Sequence, residues 1–497
     1  MGLLRRIGSF LSWGSKDSGR SAGSSKISAR YDNALTTPEN SRNWWGADYL
    51  SAKSANSFQV RRMLRTRSRY EFSNNPYLFG ICHNNADDLI DKGPTLQIKT
   101  KSNKFNHAVE TLWKQWCEEV GLVDKIRTAK LAKSVDGEGF LILKTVEDLE
   151  NPVKLYPVDV EADQVTTPAP SNLTELWVDG LTLHKTTGQP THYHVMRSHP
   201  GDFFFPGLNP LQVDRIAASH VIHWFSKNRP GMVRGVPIFT PSLDLFGELR
   251  AFRRAVLKNA QVAASFTAVL ESEVPADTTD GDDPYEAFLT ANIEPGVMTQ
   301  LPAGFKLNGF DAKQPQTTYE MFQEKCLSEA IRPLGYPLNL ALGTSQKFNF
   351  SSSKLDHINY RNSLDIERAQ CDAIVLNKLF AAFYEEAVLC GALPAWIGGI
   401  SPPPHEWHWP AYKSLDPLVD ANADAARIAA GLTSWTQYWA SQGKDFRVMI
   451  KRIAREQREI ERLGVTIGDV IKRTVTVSAD EIDKQNKVPT GEVANAV

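Results

Sequence analysis

The chain is 497 residues long, with 42% hydrophobic and 23% charged residues. These values exclude a disordered tail protein, a collagen-like repeat and a membrane-embedded chain. The 56 Lys and Arg against 57 Asp and Glu give a net charge of −1, which argues against a simple basic nucleic-acid binder. Neutrality here is a sum of opposites: residues 1–70 carry thirteen Lys or Arg and four acids, and residues 271–311 carry nine acids and one Lys. A basic end and an acidic insert suggest separate tasks. Five cysteines, Cys82, Cys117, Cys326, Cys371 and Cys390, are widely spaced and form no CxxC pair. Neither a disulfide framework nor a zinc knuckle is expected, and synthesis in a reducing cytoplasm is. The length calls for several domains or an elongated subunit.

At the N-terminus, Leu3, Leu4, Ile7, Phe10 and Leu11 fall at helical spacing around Arg5 and Arg6, without the apolar core and cleavage site of a signal peptide. Arg6 stands where a myristoylation motif needs Ser or Thr. Residues 1–27 read as a flexible basic arm, and no later stretch approaches the roughly 20 apolar residues of a membrane span. Helices are predicted over residues 51–73, with five arginines at 61–69, then over 77–91 and 105–119. After Gly137-Glu138-Gly139 the apolar run 140–146 reads as a strand, followed by 154–160, 193–196 and 220–225. The first half is α/β or α+β.

Thr240-Pro241 is a helix start, and the helix should reach residue 266. The acidic insert follows, with strand-like pieces at 266–270 and 297–301. Residues 319–331 form the next helix, closed by Pro333 and Gly335, and 336–353 a polar loop. From Lys354 to Cys390 there is no Gly or Pro, which allows a helix of about 55 Å at 1.5 Å per residue. Ser353 is its expected cap. Its first half is amphipathic, and its second, 373–389, is so apolar that it must be buried on most sides. Two helices, 417–431 and 434–463, close the folded part, and 465–497 is too poor in large apolar residues to be ordered.

The run Ala29-Arg-Tyr-Asp32 with Thr37-Pro-Glu-Asn40, the loop Arg229-Pro-Gly-Met-Val-Arg-Gly-Val-Pro237, the segment FSSSKLDHINY at 350–360 and the stretch from Trp407-His-Trp-Pro410 to Ala430 together resemble the lambda-type family of tailed-bacteriophage portal proteins. The resemblance runs from about residue 28 to 464. It implies a helix-rich α+β portal fold with wing, stem, clip and crown, the elongated subunit standing in a ring of identical copies, usually twelve, at one capsid vertex. DNA is packed through that ring and later ejected. The element order then assigns 28–240 to the wing, 241–266 and 317–335 to the stem, and 267–316 to the clip. Residues 336–353 become the tunnel loop, 354–410 the long wing helix with its linker, and 411–464 the crown.

Implied partners are further copies of the chain, double-stranded DNA passing without sequence specificity, terminase, the major capsid or scaffold protein, and a head-completion adaptor. The implied location is the virion, after assembly in the host cytoplasm. A channel that moves DNA of any sequence must not grip it, since each fixed phosphate contact adds affinity through counterion release. The tunnel loop meets this condition with one cation, Lys347, among Gln346, Asn349 and Ser351, and with Phe348 and Phe350 as anchors. Arg250, Arg253, Arg254 and Lys258 share one face of the first stem helix and Lys354, Arg361 and Arg368 one face of the wing helix. Each set either lines the channel or is paired, Arg361 with Asp365 for instance. The five arginines at 61–69 are read as structural first, with DNA or a neighbouring copy as the alternative. The acids Asp277, Asp280, Asp282, Asp283 and Glu286 suit docking of a partner protein through complementary charge, and their spacing is not that of a calcium loop.

No GxxxxGK[ST] or HExxH motif occurs, so the chain is not expected to be the packaging motor or an HExxH-type metallohydrolase. His405 and His408 sit beside prolines and read as loop packing rather than metal ligands. Gly137-Glu138-Gly139 reads as a tight turn, and Asp136 with Glu138 lacks a third partner nearby. No catalysis, cofactor or metal is expected. The rival readings are a phage-encoded nuclease or protease and a monomeric DNA-binding adaptor.

Overall fold

The computed structural model describes residues 38, 41–166, 177–202, 212–265, 269–272, 305–308, 316–394, 396, 399–414 and 416–464. The N-terminal arm, the C-terminal tail, the acids Asp277, Asp280, Asp282, Asp283 and Glu286, and the strand expected at 297–301 lie outside them. Residues up to Ser51, with the single turn α1 (Ser41–Trp44), form a unit of their own. All that follows concerns the unit beginning at Ala52.

This unit starts with α2 (Ala52–Ala55), α3 (Phe58–Asn74) and α4 (Pro76–Ile90), then β1 (Thr95–Ile98), α5 (Asn103–Val120) and α6 (Leu122–Val135). Strands β2 (Glu138–Thr145), β3 (Leu155–Val160), β4 (Trp177–Val178), β5 (Leu181–Leu183), β6 (Pro190–Met196), β7 (Val213–Ala217) and β8 (Val221–Phe225) come next. They form two antiparallel sheets, ordered β3-β2-β8 and β4-β5-β6-β7. The apolar run of β2 is buried on both faces: Leu141 and Leu143 enter the main core and Phe140 and Ile142 a second core against Leu181, Tyr193 and Val195. A strand covered on both sides has no polar face to alternate, which is why it reads as a continuous apolar run.

The second half contains α7 (Leu243–Ser265), the antiparallel pair β9 (Val269–Ser272) and β10 (Phe305–Asn308), α8 (Gln316–Ala330), α9 (Leu338–Leu342) and α10 (Phe350–Cys371). One π turn, Asp372–Leu376, joins α10 to α11 (Asn377–Leu389). The extra residue of a π turn shifts the helical phase. Beyond it Leu379, Phe380, Phe383 and Tyr384 are wholly buried, packed with Trp113 and Trp116 of α5. Last come β11 (His405–His408), α12 (Pro417–Ala429), α13 (Trp435–Ser441) and α14 (Phe446–Leu463).

Several sequence expectations need correction. The long helix begins at Phe350, not Lys354, because the Asn349 side chain caps it by accepting from Ser351 N at 3.1 Å; Ser351 is thus helical and Ser353 is not the cap. The predicted helix 434–463 is two helices, broken at Gly443, whose φ of 68° and close approach to the Trp409 carbonyl admit no Cβ. His405–His408 is a strand paired with β1, not a loop. Helix α6 and strands β1, β5 and β7 carry no strong sequence signal, and a strand of three to five residues is too short to show a period.

Candidate functional site

Helix α3 carries Arg61, Arg65 and Arg69 at four-residue spacing, so all three project from one face. That face is turned inward against carboxylates. Arg61 pairs with Asp179, Arg65 with Glu138 at 2.9 Å and with Asp163, and Arg69 with Asp136 at 2.6 Å, Asp163 at 2.7 Å and Glu161 at 3.2 Å. At the centre Glu138 has no solvent exposure and also receives Arg234, His223 Nε2 at 3.1 Å and the Gly235 amide at 3.0 Å. Burial opposes its ionisation, yet Arg234 and His223 together hold its pKa well below the usual value. Burial lowers the pKa of Arg61 to about 9, aided by Arg234. Gly137, at φ 91°, packs so closely on Val236 that a Cβ would lie 2.3 Å from backbone, and a Cβ on Gly235 would meet the Gly137 carbonyl. These two bare backbones bring Glu138 and Arg234 together. The structural reading of the arginine cluster is therefore the right one for these three, whereas Arg62 and Arg67 face solvent. Glu161, Asp163 and His199 offer ligand atoms within 4.8 Å of one another, but Arg69 already sits against both carboxylates.

Helices α7 and α8 form an arm rooted in the core. Leu243, Phe246 and Leu249 are buried at the start of α7 and Leu327 and Ala330 at the end of α8, while beyond Leu249 no described side chain of α7 is buried. Phe252 holds the pair together, stacked on Tyr319 and tilted against Phe322 at 4.3 Å between ring centres. The candidate channel cations divide here. Arg253, Arg254 and Lys258 are exposed. Arg250 leaves their company: it lies 2.7 Å from Glu71 and over the Tyr70 ring of α3, because it is on the part of the helix still within reach of the core.

The loop between α9 and α10, residues 343–349, folds against this arm. Lys347 pairs with Glu320 and, at 3.2 Å, with Glu324, both on α8. Its hydrogen bond to Glu320 raises its pKa above the ordinary lysine value. Lys347 is thus not the unpaired cation its sequence surroundings suggest. Gln346 and Asn349 are exposed, Phe348 is half-buried, and Phe350, expected as an anchor, is 60% exposed.

On α10, Lys354 is half-buried, but Arg361 and Arg368 are structural. Arg361 donates to the Lys413 carbonyl at 2.7 Å and lies over Tyr412; the expected pair with Asp365 is replaced by a hydrogen bond from Tyr412 to Asp365 at 2.8 Å. Arg368 is buried, donating to the carbonyls of Leu89, Asp88 and Pro410. Trp407 and Trp409 donate to Asn377 and Asp372 at the two ends of the π turn. Sequence spacing placed Lys354, Arg361 and Arg368 on one face. It could not show that the returning chain at 405–413 covers that face.

Comparison with known proteins decides what this architecture belongs to. The sequence model of the family described as phage portal protein, lambda family, matches residues 39–368. The chain belongs to that family. A probable portal protein of Halomonas phage phiHAP-1 is 25% identical over 288 residues, covering 56% of this chain and 54% of its own length. The chain thus spans about half of that curated relative. Among solved structures, a chain from the virion of a native gene transfer agent particle is similar at 15% identity and TM-score 0.48, over 76% of this chain and 92% of that one. A chain from the neck of the empty particle, computed with C6 symmetry, is similar at 14% identity and TM-score 0.46, over 76% and 93%.

Proposed function

We propose that this portal-family chain assembles into a closed ring, of twelve copies by family precedent, at one vertex of a phage capsid, where double-stranded DNA passes during packaging and ejection. The α7–α8 arm is its stem, and residues 267–316, the stretch of chain between those two helices, are the clip. Residues 28–240 with α10 and α11 make the wing, and 411–464 the crown. The acidic clip, with Asp277, Asp280, Asp282, Asp283 and Glu286, docks terminase and then a head-completion protein, and the wing meets the capsid or scaffold protein. The chain performs no catalysis of its own.

The observation that carries this reading is the two-helix arm, rooted in the core at one end and with no described side chain of α7 buried beyond Leu249, with the 343–349 loop pinned to its flank. Around a ring, the exposed Arg253, Arg254 and Lys258 become sparse belts of charge, sufficient to keep DNA centred and too few to hold it. Helices α12 to α14 support a ring in a second way. They contain no buried residue, and Leu418, Leu432, Trp435, Val448 and Leu463 are all more than half exposed, an apolar surface that neighbouring copies would cover. Negative-stain imaging of the purified chain under assembly conditions should show closed rings with a central hole. A persistent monomer, or robust hydrolysis of DNA or peptide abolished by a single Asp, Glu or His substitution, would overturn the proposal.

A further inference from the structure

Helix α6 carries two lysines at three-residue spacing, Lys130 and Lys133, that are buried in the core, 1% and 7% exposed. Both ammonium groups converge on one atom, Oε1 of Glu367, at 2.7 and 2.8 Å. Burial alone would favour a neutral Glu367, but the two lysines hold its pKa at about 2, so it is ionised. Two lysines against one carboxylate leave an excess of positive charge that the Trp224 ring, 4.9 Å from Lys133 Nζ, meets only in part; burial answers it by lowering the Lys133 pKa, and a further anion would answer it by holding Lys133 charged. Above this triad lies a cavity of about 540 Å³, lined by Lys130, Lys133, Ser134, Asn228, Thr240 and Gln370 among others. Ser134, 3% exposed, leaves its Oγ without a hydrogen-bond partner among the described residues. An ammonium has three donors, and each lysine spends one on Glu367. The cavity wall thus carries lysine donors not spent on Glu367, an excess of positive charge and, just behind its surface, the unpartnered Ser134 hydroxyl.

We propose that this cavity binds a small oxyanion of the phosphate class, seated on Lys130, Lys133 and Ser134. The site is placed to matter mechanically. Thr240 and Pro241, at the root of α7, and Pro333, just beyond α8, line the same cavity. A bound anion draws the lysines of the core and the two roots of the helical arm to one point, stiffening the base from which the arm projects. This holds whatever passes along the arm, so its test is independent of ring assembly.

Titration calorimetry of the full chain with inorganic phosphate, at fixed ionic strength, should show one saturable site per chain. Lys133→Met should weaken it about tenfold or more, the scale of one lost charge-assisted hydrogen bond. Ser134→Ala, which removes only a hydroxyl, should weaken it less while leaving the circular-dichroism melt in place. Glu367→Gln, by removing the competing carboxylate, should tighten it and make folding depend on phosphate. Absence of saturable heat, or binding that a folded Lys133→Met or Ser134→Ala leaves unchanged, would overturn the proposal. So would uptake confined to the oligomer, which would mark the cavity as a socket for a carboxylate of a second copy.

Discussion

Glu138 is surrounded by charge that sequence neighbours cannot supply: Arg65 comes from α3, His223 from β8 and Arg234 from the loop before α7. Removing its charge leaves Arg65 with Asp163 alone and Arg234 with only Asp179 at 3.9 Å, and takes the carboxylate from buried His223. Glu138→Gln should therefore cost about 3–5 kcal/mol, read as a fall in urea unfolding midpoint; a loss below about 1 kcal/mol would mean the network is dispensable. Because its folded pKa lies below 4.5, the stability it contributes is complete above that value and is lost as pH falls through the folded pKa. Asp372 behaves oppositely. Burial raises its pKa to about 6 against the pull of the Trp409 hydrogen bond and Arg368. Its protonated form favours the fold, so the stability this carboxyl lends is fully present below about 3.8 and disappears as pH climbs through about 6. Asp372→Asn keeps an oxygen for Trp409 without the buried charge. It should raise the melting temperature near neutrality and flatten the pH dependence between about 4 and 7; a melting temperature that falls would refute this.

At the scale of elements, the arm and the loop beside it depend on one another. Lys347 joins the loop to α8 through exposed carboxylates, an arrangement that sets position rather than stability. Lys347→Ala should leave the melt and any ring unchanged while releasing Glu320 and Glu324, making the flank of the arm more negative. DNA packaging or retention by particles carrying it should change, and unchanged packaging would remove Lys347 from the functional residues. The helices were legible because their periods are long: the root of the arm, Thr240-Pro241, and the change of character within the long helix both stand in the sequence. The π turn was not, because Asp372–Leu376 differs from its flanks in phase and not in composition. The loop reads as polar, but its ion pairs are made to residues 23 and 27 positions earlier, a separation no local pattern encodes.

For the whole molecule, the near-neutral total of −1 is compatible with handling DNA, since a conduit requires contacts that are few and repeated. The sequence by itself determined the class: a helix-rich α+β chain, the order of arm, loop and long helix, and membership of the portal family, all properties of local periodicity and motif order. Only the tertiary structure decided which charges are free. Of the cations set out by spacing, Arg61, Arg65, Arg69, Arg250, Arg361 and Arg368 are bound within the subunit, whereas Arg253, Arg254 and Lys258 remain exposed. Spacing fixes which side chains share a helix face, but whether that face meets a carboxylate, a carbonyl or water depends on chain brought back from far along the sequence. The buried pair Lys130 and Lys133 makes the same point. Their partner Glu367 is more than two hundred residues away, and the cavity above them exists only where α6, α10 and the roots of the arm converge.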